Sequence, residues 1–457
     1  CSDCVEDFVA ALAHHYSRSG NAAKAVEYLG RAGGQLAGRA AYGEAAERVS
    51  EGLALLRTLP ASPERHRRDL AMQTALAQYL IPQKGVAAEE VKLALERARE
   101  LALEYGDERE LFWIVYGLQF HYLVRLELKT ARRIGERQLE LAERSGAPAM
   151  RMGAYVALAQ TLLLTGEPEA ARDLCDRAMS LPRELPDFPL SDIGDARGMI
   201  LSISASALAL TGYIDQSLRR SEEAVAIARS TGPHSLIVAI NSAAELRFRL
   251  GDWRGALERV AEVEALATQR DLPLWVAYAV ELRGQTLIHL DQVADGIELM
   301  KQGGAAFETT RAVGLQWRIH YADALGRLGR TEEALAMLDE IEQGLAEAGW
   351  GMGAAELHRL RGEFLLTRGA AGDVDAAEAS LRNAIDVARQ QHARLFELRA
   401  ANALASLLET TGRRDQARAL LADIYDWFTE GFDALDLTEA RTLLERLAEH
   451  SASTSPR

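Results

Sequence analysis

Along most of the chain, apolar residues recur three and four positions apart, the spacing of one face of an α-helix. Turn residues break these stretches at Gly166, Gly212, Gly251, Asp291, Gly329, Gly369 and Gly412, 38 to 46 residues apart. Seven positions before each turn stands a small residue: Ala159, Ala205, Ala244, Gly284, Ala322, Gly362 and Ala405. Five positions after it stands another in most units (Ala171, Ala256, Gly296, Ala334 and Ala417), with Ser217 in that place after Gly212. The first unit follows the same grammar with Ala13, Tyr16, Gly20, Ala25 and Ala32. Small residues at these positions let two antiparallel helices approach closely, and the turn glycine supplies a left-handed conformation at a helix end. Helix starts are marked by Pro168, Asp252 and Thr331, each just past a turn. No run of alternating β-branched residues bounded by turns predicts a strand.

A period in this range is the mark of a repeat architecture. The pattern predicts an all-α fold: a right-handed α-solenoid of antiparallel helix pairs, a tetratricopeptide-like superhelix whose unit exceeds the usual ~34 residues. Helical repeats are expected over 1–60 and 61–180. A Pro-rich link follows at 181–195, where Pro182, Pro186 and Pro189 forbid a continuous helix. Repeats resume over 196–437, and 438–450 is expected as a capping helix, because a solenoid needs a polar end. The remaining 451–457 reads as a disordered tail. The chain starts at Cys1 within a helical pattern, so the expectation is a piece of a longer polypeptide that follows an upstream domain.

Composition narrows the function classes. The 457 residues carry 52 basic and 67 acidic side chains, a formal charge of −15, which argues against holding nucleic acid by its phosphates. Lysines occur only at 24, 84, 92, 129 and 301, so the positive charge is nearly all arginine, set among Glu and Asp on helical stretches. The most apolar stretch, Met199–Leu210, is interrupted by Ser202, Ser204 and Ser206 and is too short to span a bilayer. Three cysteines are too few for a disulfide scaffold and suit a reducing cytoplasm.

Four segments carry a family likeness: LAHHYSRSGNAAKAVEYLGRAG (12–33), YLVRLELKTAR (122–132), LALTGYIDQSLRRSEEAVAIAR (208–229), and the end of the chain from LFELRAANALASLLETTGRRDQARALLADIYDWF onward (395–447). With them the chain resembles the C-terminal helical-repeat region of large bacterial signalling proteins. In those a class III adenylate/guanylate cyclase domain, or another effector, is fused to an AAA/STAND-type ATPase ahead of the repeats. The maltose-regulator class of transcription activators is a more distant likeness. The resemblance implies a cytoplasmic signal-transduction module whose partners are a protein or peptide, a small-molecule effector, and its own upstream ATPase/cyclase domain. It supplies no catalytic residue to this chain. No Gly-Lys pair exists to form a phosphate-cradling Gly-x4-Gly-Lys-Ser/Thr loop, and no strands are expected to hold a cyclase's metal-binding carboxylates.

Candidate chemistry is sparse. Cys1-x-x-Cys4 with His14 and His15 has metal-binding residue types, but adjacent helical residues point ~100° apart, and no metal or other cofactor is expected. Cys175 falls at a packing position. The other histidines are scattered singly, and no His-Glu-x-x-His, Gly-x-Ser-x-Gly or Ser-x-x-Lys motif occurs among them. The most suggestive segment is 112–132. There Phe112, Tyr116 and Phe120 share a helix face, Trp113 and Tyr122 lie near it, and Arg125, Glu127 and Arg132 follow. Aromatic anchors beside arginine are what binding surfaces use, although such a stripe also serves helix packing. Trp275, Trp317 and Trp350 recur near successive first helices and would line one surface of a solenoid. The ligand- or partner-binding candidates are therefore Trp113, Tyr116, Phe120, Tyr122, Arg125, Trp275 and Trp317. The expected role is a non-catalytic regulatory or sensor module. A stand-alone scaffold joining two proteins is the alternative, and an enzyme in its own right is disfavoured by the missing constellation.

Overall fold

The computed structural model describes residues 8–39, 41–183, 185, 196–308 and 314–453, and every regular element among them is a helix. The Cys1–Cys4 pair, most of the Pro-rich link and residues 454–457 lie outside the described residues. The first helices are α1 (Val9–Arg18), α2 (Ala22–Ala37), α3 (Tyr42–Leu56), α4 (Pro63–Lys84), α5 (Glu89–Tyr105), α6 (Glu108–Val124) and α7 (Leu128–Ser145). Next come α8 (Pro148–Thr165), α9 (Pro168–Met179), α10 (Ala196–Leu210), α11 (Ile214–Thr231), α12 (Pro233–Arg249), α13 (Trp253–Gln269) and α14 (Pro273–His289). The last are α15 (Val293–Glu308), α16 (Gly314–Arg327), α17 (Thr331–Ala348), α18 (Ala354–Arg368), α19 (Asp373–Gln390), α20 (Arg394–Thr410), α21 (Arg414–Tyr425) and α22 (Leu435–Ser453). Each packs on its chain neighbours, which makes the fold an α-solenoid.

Local chemistry sets the helix ends. Asp107 and Glu110 form a reciprocal capping box at the start of α6, Asn21 caps α2 and Asp252 caps α13, while proline opens α4, α8, α9, α12 and α14. The turn positions read from the sequence adopt positive φ, including the non-glycine Asp291 at 62°. The small residues on either side of them are the seams: Ala159, Ala171, Ala244, Ala256, Ala322, Ala334, Ala405 and Ala417 are fully buried. At Gly284 and Gly296 the seam is tightest, for a Cβ on either would lie 2.6 Å from the other's carbonyl oxygen.

From α4 onward the even-numbered helices, α8 excepted, line the interior. The superhelix closes on itself, so residues about 185–215 positions apart touch. Gly351 and Met352, just before α18, donate backbone hydrogen bonds to Leu164 O at the end of α8, at 3.0 and 3.1 Å. Leu435 N–H reaches Leu250 O at 3.4 Å, the Gln216 amide donates to Glu430 at 3.1 Å, and the rings of Tyr213 and Trp427 meet edge to face. One turn of the superhelix thus holds about ten helices, and its neighbour seals it. This closure explains α8, which is apolar all round: it packs on its neighbours and under the next turn. The last helix begins at Leu435 and runs to Ser453, and it seats against the preceding turn instead of merely ending the stack.

Candidate functional site, a two-chambered lumen

The inward helices enclose a lumen with two chambers. The first, about 690 Å³, is lined chiefly by α4, α6, α12 and α14. Its aromatic wall comes from α6, where Trp113 meets Tyr116 edge-on at 5.5 Å between ring centroids and Tyr116 meets Phe120 at 4.9 Å. Opposite, Trp275 of α14 donates its indole N–H to His234 Nε2 at 3.3 Å and lies against Tyr278. Tyr116 is only 2% exposed, its hydroxyl has no hydrogen-bond partner among the described residues, and burial holds its proton well above the usual phenol range.

The structure therefore brings four of the seven sequence candidates, Trp113, Tyr116, Phe120 and Trp275, into one chamber. Phe112 turns away into the seam with Ala142, Met150 and Ala154. Tyr122 packs on the α4–α5 cluster, and Arg125, just past the end of α6, pairs with Glu127 at 3.2 Å; neither lines a chamber. Trp317 lines the second chamber, stacked on Tyr321 with its N–H on Met300 O at 3.2 Å. Trp350 lines it too, buried, with no partner for its indole N–H among the described residues. Cys175 is fully buried, and burial raises its thiol pKa.

The second chamber, about 1050 Å³, is lined by α12, α14, α16, α18, α20 and α22 and is charged. Arg399 forks onto Asp436 at 2.7 and 2.9 Å and also donates to Arg249 O across the turn at 2.7 Å. Glu356 lies between Arg359 at 3.0 Å and Arg399 at 3.4 Å; burial would raise its pKa, but the two guanidiniums outweigh it and hold it at about 2. Arg359 also holds Glu363 at 2.6 Å, and Arg327 holds Asp323 at 3.1 Å. Burial depresses His289 and His320 to about 4 despite the opposing charge of Asp323. Glu281, hydrogen-bonded to Gln285, is pushed up to about 8 by burial, and the Glu245 charge adds to the rise. Tyr278 lines both chambers and so marks where they adjoin.

None of these charged residues stood out in the sequence, yet a signal was present. Glu245, Gln285, Asp323, Glu363 and Ser406 all lie six residues before a turn residue, and Asn241, Glu281, Arg359 and Asn402 lie ten before one. A polar residue at those places breaks an otherwise apolar inward helix. Among the described residues no group of three or more His, Cys, Asp or Glu is arranged to hold a metal, and no helix is long and apolar enough to cross a membrane.

No family model matches the chain. It is similar to an uncharacterised protein of Rhizobium meliloti (strain 1021), 24% identical over 415 residues, which covers 88% of this chain and 40% of that protein. The chain thus spans less than half the length of that relative. Among solved structures it is similar to the Cut9–Hcn1 hetero-tetramer of the APC/C, with TM-score 0.50, 12% identity, and coverage of 93% of this chain and 76% of that one. A Rap protein complexed with Competence and Sporulation Factor is also similar, with TM-score 0.48, 15% identity and coverage of 86% and 99%. The first of these likenesses identifies the fold, a tetratricopeptide-like array, and nothing beyond it.

Proposed function

We propose that the chain is a non-catalytic recognition module that binds a peptide segment or small effector in its lumen and thereby regulates a larger bacterial signalling protein. The observation that carries the reading is the lumen itself: an aromatic chamber and a charged chamber, each of ligand size, joined at Tyr278. The tetratricopeptide-like fold suits a protein-interaction role. The resemblance to repeat regions behind AAA/STAND ATPases and cyclases supplies the regulatory part, and the greater length of the Rhizobium relative is compatible with it. The physical route is a population shift. A ligand that touches both walls favours one spacing of the two superhelical turns, and an attached domain feels that preference. Where no catalytic domain is attached, the same lumen serves a stand-alone scaffold.

Two experiments test the reading. Peptides selected from a random display library on the full chain should lose about thirtyfold or more in affinity on Trp113→Ala or Trp275→Ala, the loss typical of a buried aromatic anchor. Peptides that bind both variants as tightly as the parent would contradict lumen recognition. The coding sequence upstream of Cys1 tests the regulatory part. A Gly-x4-Gly-Lys-Ser/Thr motif there supports an attached ATPase, while a start codon a few residues upstream favours the scaffold.

A further inference from the structure

One pair on the inner face of α12 is wired unusually. Glu245 and Arg249 stand one helical turn apart, acid first, which is the order that ordinarily forms an i,i+4 ion pair. They form none. Glu245 accepts from the Asn241 side-chain amide at 2.8 Å, and Arg249 has no side-chain hydrogen bond or ion pair among the described residues. The other arginines of the chamber are committed: Arg327 to Asp323, Arg359 to Glu356 and Glu363, Arg399 to Asp436, and Arg446 to Glu409. Glu281, on the adjoining α14, is 6% exposed and is bonded to Gln285, with no ion pair among the described residues. One guanidinium and two carboxyl groups therefore face an open chamber without a direct ion pair among the described residues, an arrangement that is costly unless something else fills it.

We propose that the charged chamber binds a free α-amino acid as its zwitterion, with the carboxylate on Arg249, the ammonium on Glu245 and Glu281, and the side chain directed past Tyr278 toward the aromatic chamber. The spacing fits this class of ligand. Residues four apart on a helix rise about 6 Å, and Glu245 and Arg249 both face the chamber with that interval left unbridged. Inserting an ammonium and a carboxylate about 3 Å apart gives each side chain a charge-assisted partner at normal hydrogen-bond distance. A long peptide carries its two termini too far apart to do so. The direction in which burial displaces the three groups agrees: it raises Glu245 and Glu281 and lowers Arg249, as burial without a direct ion-pair partner does. The other charged and titratable groups facing the cluster are His320 and Asp323 on α16, Glu356 on α18 and Arg399 on α20. All but His320 are held in ion pairs. The proposal rests on the reading of the lumen as the recognition site.

The test uses the full chain. Each common L-amino acid, at about 10 mM, is screened by thermal melting, and the best is compared by calorimetry with its decarboxylated amine and its deaminated acid. At least one amino acid should raise the melting temperature by several degrees, and removal of either charge should weaken binding about tenfold or more. Arg249→Gln should abolish the advantage of the carboxylate. Glu281→Gln, which mimics the protonated side chain and should preserve the fold, should reduce the advantage of the ammonium, and it decides the matter if Arg249→Gln does not fold. The proposal is overturned if no amino acid shifts the melting temperature, if the singly charged analogues bind equally well, or if the folded variants bind as the parent does. Amine-only or acid-only binding would overturn the zwitterion while leaving lumen recognition, which the selected peptides test, standing.

Discussion

Replacing Gly284 with alanine places a methyl group where two backbones meet. A Cβ there would lie 2.6 Å from the Gly296 carbonyl oxygen and 2.8 Å from the Met300 backbone nitrogen, whereas ordinary contact begins at 3.4 Å. Backbone atoms cannot rotate aside as a side chain can, so α14 and α15 must part by several tenths of an ångström. Overpacking of this kind costs about 1–3 kcal/mol. Alanine's better helix propensity offsets up to about 1 kcal/mol of that. The net expectation is a loss of about 1–2 kcal/mol, concentrated at the α14–α15 seam. Gly30 in α2 is the control, since a Cβ there meets nothing within 4 Å. Gly30→Ala should stabilise by roughly 0.5–1 kcal/mol, the opposite sign for the same chemical change. Urea denaturation followed by circular dichroism gives the sign. Hydrogen exchange of α14 and α15 gives the location, because a repeat array need not unfold as one unit. If Gly284→Ala matches or exceeds the parent in stability, with unchanged exchange at the seam, the close-packed seam is refuted.

Other consequences follow from the charged chamber. Arg399→Met strands Asp436, leaves Glu356 to Arg359 alone and unties Arg249 O, so it should cost about 3–5 kcal/mol by urea denaturation; a loss under about 1 kcal/mol would show that the turns do not depend on this residue. Glu281 holds its proton up to about pH 8 in the folded chain against an ordinary value of 4.5, so its contribution to stability is full below pH 4.5 and fades as pH rises toward 8. Glu281→Gln should therefore gain stability relative to the parent across that window, seen as diverging melting temperatures; parallel curves would contradict the burial of this carboxyl. His320 is depressed to about 4 from 6.5, so the stability it lends is present above pH 6.5 and lost as pH falls toward 4. His320→Gln should flatten that acid limb in the same melting series.

The solenoid was legible because its determinants are local and repeated. Ala159, Ala205, Ala244 and their counterparts sit at fixed distances from turns that need a left-handed backbone, and each repeat reports the same seam. The aromatic chamber was legible in part, since Trp113, Tyr116 and Phe120 fall on one helical face. Tyr122 was misplaced because two further residues turn it about 200° from Phe120, and Arg125 because the helix ends at Val124. The closure of the superhelix was not legible. It depends on small rotations summed over about ten helices, and its contact residues, Leu164, Gly351, Leu250 and Leu435, carry no distinctive signal one at a time. The charged chamber was hidden for a related reason. Glu245, Arg359 or Arg399 read alone as solvated surface, and only alignment of the repeats by their turns shows that these positions share the lumen.

Hydrogen exchange on the full chain, with and without a library-selected peptide, tests the central claim most directly. The account predicts protection concentrated on the inward helices α4, α6, α12 and α14 around the aromatic chamber, with α5, α7, α13 and α15 unchanged. Protection confined to those outer helices, with the inward set unaffected, would contradict recognition within the lumen.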